Sequence, residues 1–175
     1  MPPFHETLSA SQPSHPAALD VGPVLARIDG IERRACSRAL QWWRELAAPR
    51  PLPEIGAFTF DSAGDLGPYL FALHLADEPT ANRFVCAGET LRSALGFDPT
   101  GRTMMEVWPR DARDRALFLQ RAAAELMNPI DEAGRWTAAD GEEVVYRCVL
   151  MPASDDQRRV DHLIGAFSYR RLRLS

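Results

Sequence analysis

The sequence predicts an α+β domain built in the order helix, two strands, three helices, three strands. Val24, Ile28, Ile31, Ala35, Ala39, Trp42 and Leu46 recur at steps of three or four, the period of one helix face. Phe71-Ala72-Leu73-His74-Leu75-Ala76 alternates large and small side chains, as a strand with two unlike faces does. In the last third, Asp140-Gly141 and Ser154-Asp155-Asp156-Gln157 separate three apolar runs in the manner of hairpin connections. Helices grouped between antiparallel strands define the α+β class.

Each element has its own local signal. Residues 1–20 hold four of the fourteen prolines and show no period, which predicts a disordered arm. A helical extension is expected over 21–50, interrupted at Gly30 and ended by Pro49-Arg50-Pro51-Leu52-Pro53; a connecting loop follows over 51–70. The folded core spans 71–170 and a short tail 171–175. After the strand that starts at Phe71, Asp77 to Asn82 forms a turn and Arg83 to Ala87 a second strand. Gly88 lets that strand break into a helix near Thr90 to Leu95, and Gly96 stands where a helix C-cap favours positive φ. Pro99 and Gly101 suit a tight turn, and Thr103-Met104-Met105-Glu106 spells a capping box whose helix stops at Pro109. Asp111 is expected to cap a longer helix from Ala112 to Met127, with Ala116, Leu119, Ala123 and Leu126 as its inner stripe and Asn128-Pro129 as its stop. Three strands follow, around Arg135 to Ala138, Glu142 to Met151 and Val160 to Arg170.

Composition excludes several functions. Apolar residues make up 46% and charged residues 25%, the proportions of a folded water-soluble domain, and the net charge of −4 draws the molecule to neither nucleic acid nor an anionic membrane. All twenty basic residues are arginine, so Schiff-base chemistry, a Walker-type lysine and a lysine general base are ruled out. Cys36, Cys86 and Cys148 are scattered and odd in number, which speaks for reduced thiols and against a disulfide framework or a zinc site. No signal peptide and no apolar run of membrane-spanning length is visible, so a cytoplasmic protein is expected.

The run Asn82-Arg83-Phe84-Val85-Cys86-Ala87-Gly88, leading into Gly96-Phe97-Asp98-Pro99-Thr100-Gly101-Arg102 and then Glu106 and Trp108, resembles the PAS superfamily, and within it a single-domain branch found mainly in alphaproteobacteria. The resemblance extends over residues 39 to 169. It departs from that branch after Pro53, where Glu54-Ile55-Gly56-Ala57-Phe58 follows, and at Met151-Pro152-Ala153. The resemblance implies a five-stranded antiparallel sheet with helices packed on one face around a cavity. Phe84, Cys86, Met104, Met105, Trp108, Phe118 and Tyr146 become the pocket candidates, a set suited to a small apolar ligand and equally to a filled core.

The resemblance also allows cofactors to be tested by their missing atoms. Haem-binding relatives carry an axial histidine on the long helix, but here residues 111–127 offer only Met127. The blue-light branch needs a cysteine where Glu89-Thr90-Leu91-Arg92-Ser93 stands, and the photoactive-yellow branch needs one between Cys86 and Cys148. No cofactor and no metal are therefore expected.

The function implied is that of a non-enzymatic cytoplasmic regulatory module. It would act through protein–protein contact with an unknown signalling partner, since no kinase, cyclase or DNA-binding domain follows Tyr169. A homodimer is expected, built on Val24, Ile28, Ile31, Ala35, Ala39, Trp42 and Leu46, with Trp43 at the margin of that stripe or against the sheet. Arg170-Arg171-Leu172-Arg173 reads as a solvated end rather than a phosphate contact. Two alternatives remain open: a cone-shaped isomerase or dehydratase, and a purely structural oligomerisation module. The enzyme would need His74 with Asp77, a Cys86-His74-Asp77 set, or Asp161 with His162; the last two are expected to point to opposite faces of one strand.

Overall fold

The computed structural model describes residues 31–172, with side chains from Arg34 onward. The arm over 1–20, Val24, Ile28 and the side chain of Ile31 lie outside the described residues. The first helix, α1, spans Ile31–Ala47. The segment after it carries two short 3-10 helices, Ile55–Ala57 and Gly64–Tyr69, in place of an irregular loop. Strands β1 (Leu70–His74) and β2 (Arg83–Ala87) follow, then helices α2 (Glu89–Leu95), α3 (Met104–Val107) and α4 (Arg113–Leu126), and finally β3 (Ile130–Thr137), β4 (Glu143–Ala153) and β5 (His162–Leu172). The five strands form one antiparallel sheet in the order β2-β1-β5-β4-β3.

The turn chemistry explains most of the boundaries. Gly96 caps α2 with φ +82°, and Gly101 and Gly141 take φ +80° and +84° in their turns, all in the left-handed region that glycine enters without penalty. Thr103 accepts from the Glu106 N–H while the Glu106 carboxylate accepts from the Thr103 N–H at 2.7 Å, the expected capping box closing both orphan donors of α3. Asp111 does not cap the long helix. It lies inside a 3-10 turn, Arg110–Ala112, and Ala112 takes the N-cap position without a side-chain bond. The inner stripe of α4 is also rotated: Ala116, Gln120 and Ala123 are buried, whereas Leu126 is 68% exposed.

Both faces of the sheet are covered: the helices between β2 and β3 lie on one face, as expected, and the N-terminal helical extension lies on the other. Phe71, Leu73, Phe84, Tyr146, Leu163 and Phe167 face α2, α3 and α4. Leu70, Val149, Met151, Ala153, Ile164 and Ala166 pack against α1 and the segment after it, meeting Cys36, Ala39, Trp43, Leu52 and Leu66. Of the two places expected for Trp43, it takes the one against the sheet. Trp43 is buried and its indole N–H donates to the Pro152 carbonyl at 2.8 Å, while Trp42 is half-buried against Phe58. Ala35 and Ala39, expected at a dimer interface, are buried in the chain's own core.

Candidate functional site

Between the sheet and α3–α4 lies a cavity of about 20 Å³, lined by Phe71, Leu73, Phe84, Met104, Trp108, Ala116, Gln120, Glu132, Cys148 and Leu150. That is room for about one water molecule. The space is small because rings occupy it. Trp108, Trp136, Tyr146 and Phe167 contact one another with centroids 5.2 to 6.4 Å apart.

Three of the seven pocket candidates, Phe84, Met104 and Trp108, line this cavity. Tyr146 belongs to the ring cluster beside it, and burial pushes its hydroxyl pKa up. Met105 is half-buried on the outer side of α3. Phe118 is 68% exposed and faces away from the cavity, because the inner face of α4 is set by Ala116, Gln120 and Ala123. Cys86 does not share the buried face of Phe84. A register shift between Ala72 and Leu73 breaks the alternation of β2, so Cys86 stands opposite Ala72 and half-buried.

Two polar residues of the wall were missed by sequence reasoning. Gln120 is buried on α4, and its carbonyl accepts from the Asn82 side-chain amide at 2.8 Å. Asn82 in turn accepts from the Ala76 N–H at 2.9 Å and, through its own carbonyl, from the Met104 N–H at 2.7 Å, so it ties the β1–β2 turn, α3 and α4 together. Glu132 is buried on β3. Burial pushes its carboxyl pKa up, and the Tyr146 hydroxyl and the nearby Arg115 offset this only in part. Arg115 Nε stands 3.6 Å from Glu132 Oε2, close enough for attraction but too far for a hydrogen bond. Glu132 Oε2 and Trp108 Nε1 are both buried without a hydrogen-bond partner. A β3 drawn from Ile130 rather than Arg135 would have placed Glu132 on the same inner face as Trp136 by alternation.

The nucleophile constellation does not assemble. His74 stands opposite Arg83 on β2, not Cys86, and burial raises the Cys86 thiol pKa. Burial likewise lifts Cys36 to about 11 and raises Cys148, so all three thiols are disfavoured as thiolates. Asp161 and His162, expected to diverge, are hydrogen-bonded at 2.8 Å through Oδ1 and Nδ1. The reason is that β5 begins only at His162, so strand alternation does not reach Asp161.

The order of elements, the capped α3 and the helices between β2 and β3 agree with one family. Its PAS fold profile matches residues 81–170, just over half of the 175-residue chain. The chain belongs to the PAS fold family. PAS domains are in general sensory and regulatory signalling modules rather than catalysts. No curated protein sequence matches the chain. Among solved structures, a Rhodobacter sphaeroides LOV protein is 17% identical over 61% of this chain and 60% of its own, with a TM-score of 0.46. A Vibrio cholerae VqmA dimer without target DNA is 17% identical over 66% and 52% of the two chains, with a TM-score of 0.49. The PAS-B domain of Drosophila melanogaster Cycle with bound ethylene glycol is 10% identical over 57% and 99%, with a TM-score of 0.44. The PAS chain described here thus spans 60% of the length of the LOV protein. Among the described residues, no helix is long and apolar enough to cross a membrane.

Proposed function

We propose that this PAS domain is a non-enzymatic cytoplasmic regulatory module whose output is a change in protein–protein contact, made first with a second copy of itself through the outer face of α4. The observation that carries this reading is the location of exposed apolar side chains. Among the described residues the large exposed ones are Val85, Phe118, Leu126 and Met127, and three of these lie on α4 or at its C-cap. Phe118 and Leu126 are eight positions apart, on one side of the helix with Ala122 between them. Such a stripe left in water marks an interaction surface.

The pattern around it is self-complementary. Two α4 helices crossing antiparallel about Ala122 bring Phe118 of each copy against Leu126 of the other. Arg121 and Glu125, exposed charges of opposite sign, flank this stripe and leave its margin without a like-charge block. The N-terminal stripe is the weaker surface, because Ala39 already packs on the chain's own sheet, Ala35 is buried, and Trp42 and Leu46 are half-buried. The net charge of −4 favours a protein partner over nucleic acid or an anionic membrane.

Light scattering at tens of micromolar, a range in which weak interfaces still associate, tests this. The unmodified protein is expected to have the mass of a dimer, and the double change Phe118→Glu with Leu126→Glu that of a folded monomer. A monomeric unmodified protein, or a dimer that survives both changes, overturns the α4 interface.

Modulation by a small ligand is supported by a separate observation. Trp108 Nε1 and Glu132 Oε2 line the core cavity without hydrogen-bond partners, and a compact molecule that accepts from the first and donates to the second would satisfy both. Native mass spectrometry of freshly purified protein reads this directly. A retained mass beyond the chain supports it, and a bare chain at low activation energy contradicts it.

A further inference from the structure

We propose that His74, His162, Asp161 and Asp155 form a binding site for a divalent transition-metal ion of the zinc class. His74 closes β1 and His162 opens β5, and the two stand directly opposite each other across the antiparallel ladder. Their rings lie 5.1 Å apart, edge to face. Directly opposed side chains on neighbouring strands have Cβ atoms only about 5 Å apart, so one nitrogen from each ring can reach a shared ion. His162 is 8% exposed, and its partners among the described residues are Asp161 and the ring of His74. His74 is exposed, and its one partner among the described residues is that same ring. A histidine pair placed edge to face at the end of a sheet, one ring buried and the other exposed, presents two imidazoles to one point.

Two carboxylates complete the set. One donor atom from each of Asp155, Asp161 and His162 falls within 4.8 Å of the others. The connection between β4 and β5 holds them there: the Asp155 N–H donates to both Asp161 carboxylate oxygens at 3.1 and 3.3 Å, and the Leu75 N–H donates to the Asp161 carbonyl at 2.8 Å. Donors about 2.0–2.2 Å from a tetrahedral ion sit roughly 3.3 Å from one another. These three donors therefore have to close by up to about 1.5 Å, and His74, which stands outside that group, has to turn in to join them, within reach of side-chain rotation because Asp155 and His74 are both exposed. Two imidazoles with two carboxylates suit zinc, cobalt, nickel or copper, whereas magnesium and calcium want oxygen alone. The two negative charges offset the dication. Arg159 of the same connection leans towards Asp77, at 3.8 Å, and Arg158 completes the positive charge nearby, which keeps the site weaker than a closed thiolate one. The exposed His74 and Asp155 leave the site open to water, so an ion can enter from solvent.

The site is tested on the full-length, chelator-treated protein with zinc chloride in calorimetry and cobalt chloride in visible absorption. One equivalent of zinc is expected to bind and to raise the melting temperature, and cobalt to show d–d bands of a four- or five-coordinate ion. His74→Gln and Asp155→Asn, both at exposed positions and so safe for folding, should each weaken zinc at least tenfold. His162→Gln should abolish binding. A variant carrying His5→Gln and His15→Gln should bind as the unmodified protein does. The site is overturned by an absence of zinc binding at 100-fold excess over protein, by affinity unchanged in both His74→Gln and Asp155→Asn, or by equal binding of magnesium.

Discussion

Three glycines that look alike in the sequence constrain the chain for different reasons. Gly101 needs its left-handed φ of +80°, yet a Cβ there would meet nothing within 4 Å. Gly88 has an ordinary extended backbone, but a Cβ would stand 2.5 to 2.7 Å from the carbonyl oxygens of Pro68, Gly67 and Leu70. Gly165 leaves space for the Phe71 ring, which a Cβ would approach to 2.0 Å. Gly101→Val should therefore cost about 1–3 kcal/mol of backbone strain, and Gly88→Ala more, because backbone carbonyls cannot rotate away as a side chain can. Chemical denaturation measures both, and a Gly88→Ala loss smaller than that of Gly101→Val would refute the close-approach argument. Glu132 gives a pH signature at the same scale. Its folded pKa is raised by burial, so the unfolded chain ionises first as pH rises. Stability is thus lost from the ordinary carboxylate pKa upward through the raised folded value. Glu132→Gln removes that loss, so its melting temperature relative to the unmodified protein should be higher at about pH 8 than at about pH 5. A difference that does not change with pH would show that Glu132 is not held in a desolvated site.

At the scale of elements, α1 and α3 are stabilised in contrasting ways. Helix α3 is a single turn, Met104–Val107, too short to persist by propensity, and it depends on its capping box and on the buried Met104 and Val107. Thr103→Ala should cost about 1 kcal/mol, the usual worth of an N-cap side chain, read as a fall in denaturation midpoint. Helix α1 depends on its sheet contact. Trp43→Ala removes a buried indole and leaves the Pro152 carbonyl without its donor, and should cost about 3–5 kcal/mol. Trp42→Ala, on the half-buried side, should cost markedly less. Equal losses for the two would mean that α1 does not lie on the sheet as described. This separation was only half legible in the sequence. The helical period announced a stripe, but choosing between adjacent tryptophans requires the helix's rotation about its axis, which the sheet sets.

For the whole molecule, the strand order makes β5 the central strand, flanked by β1 and β4, and both faces of the sheet carry packed layers. Amide exchange should be slowest in β5, β1 and β4 and faster along β3, whose outer edge has no strand neighbour. Slower exchange in β3 than in β5 would contradict this order or show a partner on that edge. Acid acts on several exposed carboxylates together. Asp65 is held low by Arg38, Asp98 by Thr100, Glu106 by Thr103, Asp140 by the Glu142 N–H and Asp156 by the Arg158 N–H. Each depressed pKa contributes stability above the unfolded value that disappears as pH falls through the folded one, opposite in sign to Glu132.

By itself the sequence determined what local chemistry controls. The order of elements, the hairpin turns at Gly141 and Gln157, the left-handed caps at Gly96 and Gly101 and the box at Thr103–Glu106 follow from residues within a few positions of one another. Tertiary structure alone decided what depends on facing and distance. It turned Phe118 outward and Gln120 inward, because α4 meets the sheet through Ala116 and Ala123, and it moved Cys86 off the Phe84 face through a register shift against β1. It filled the expected cavity with four rings from three strands and a helix end, and it brought Glu132 beneath them. It also gathered His74, Asp155, Asp161 and His162, separated by up to 88 positions, at one corner where β1 and β5 are neighbours. No spacing along the chain encodes such a cluster, because the ladder that joins its members is formed by strands at opposite ends of the domain.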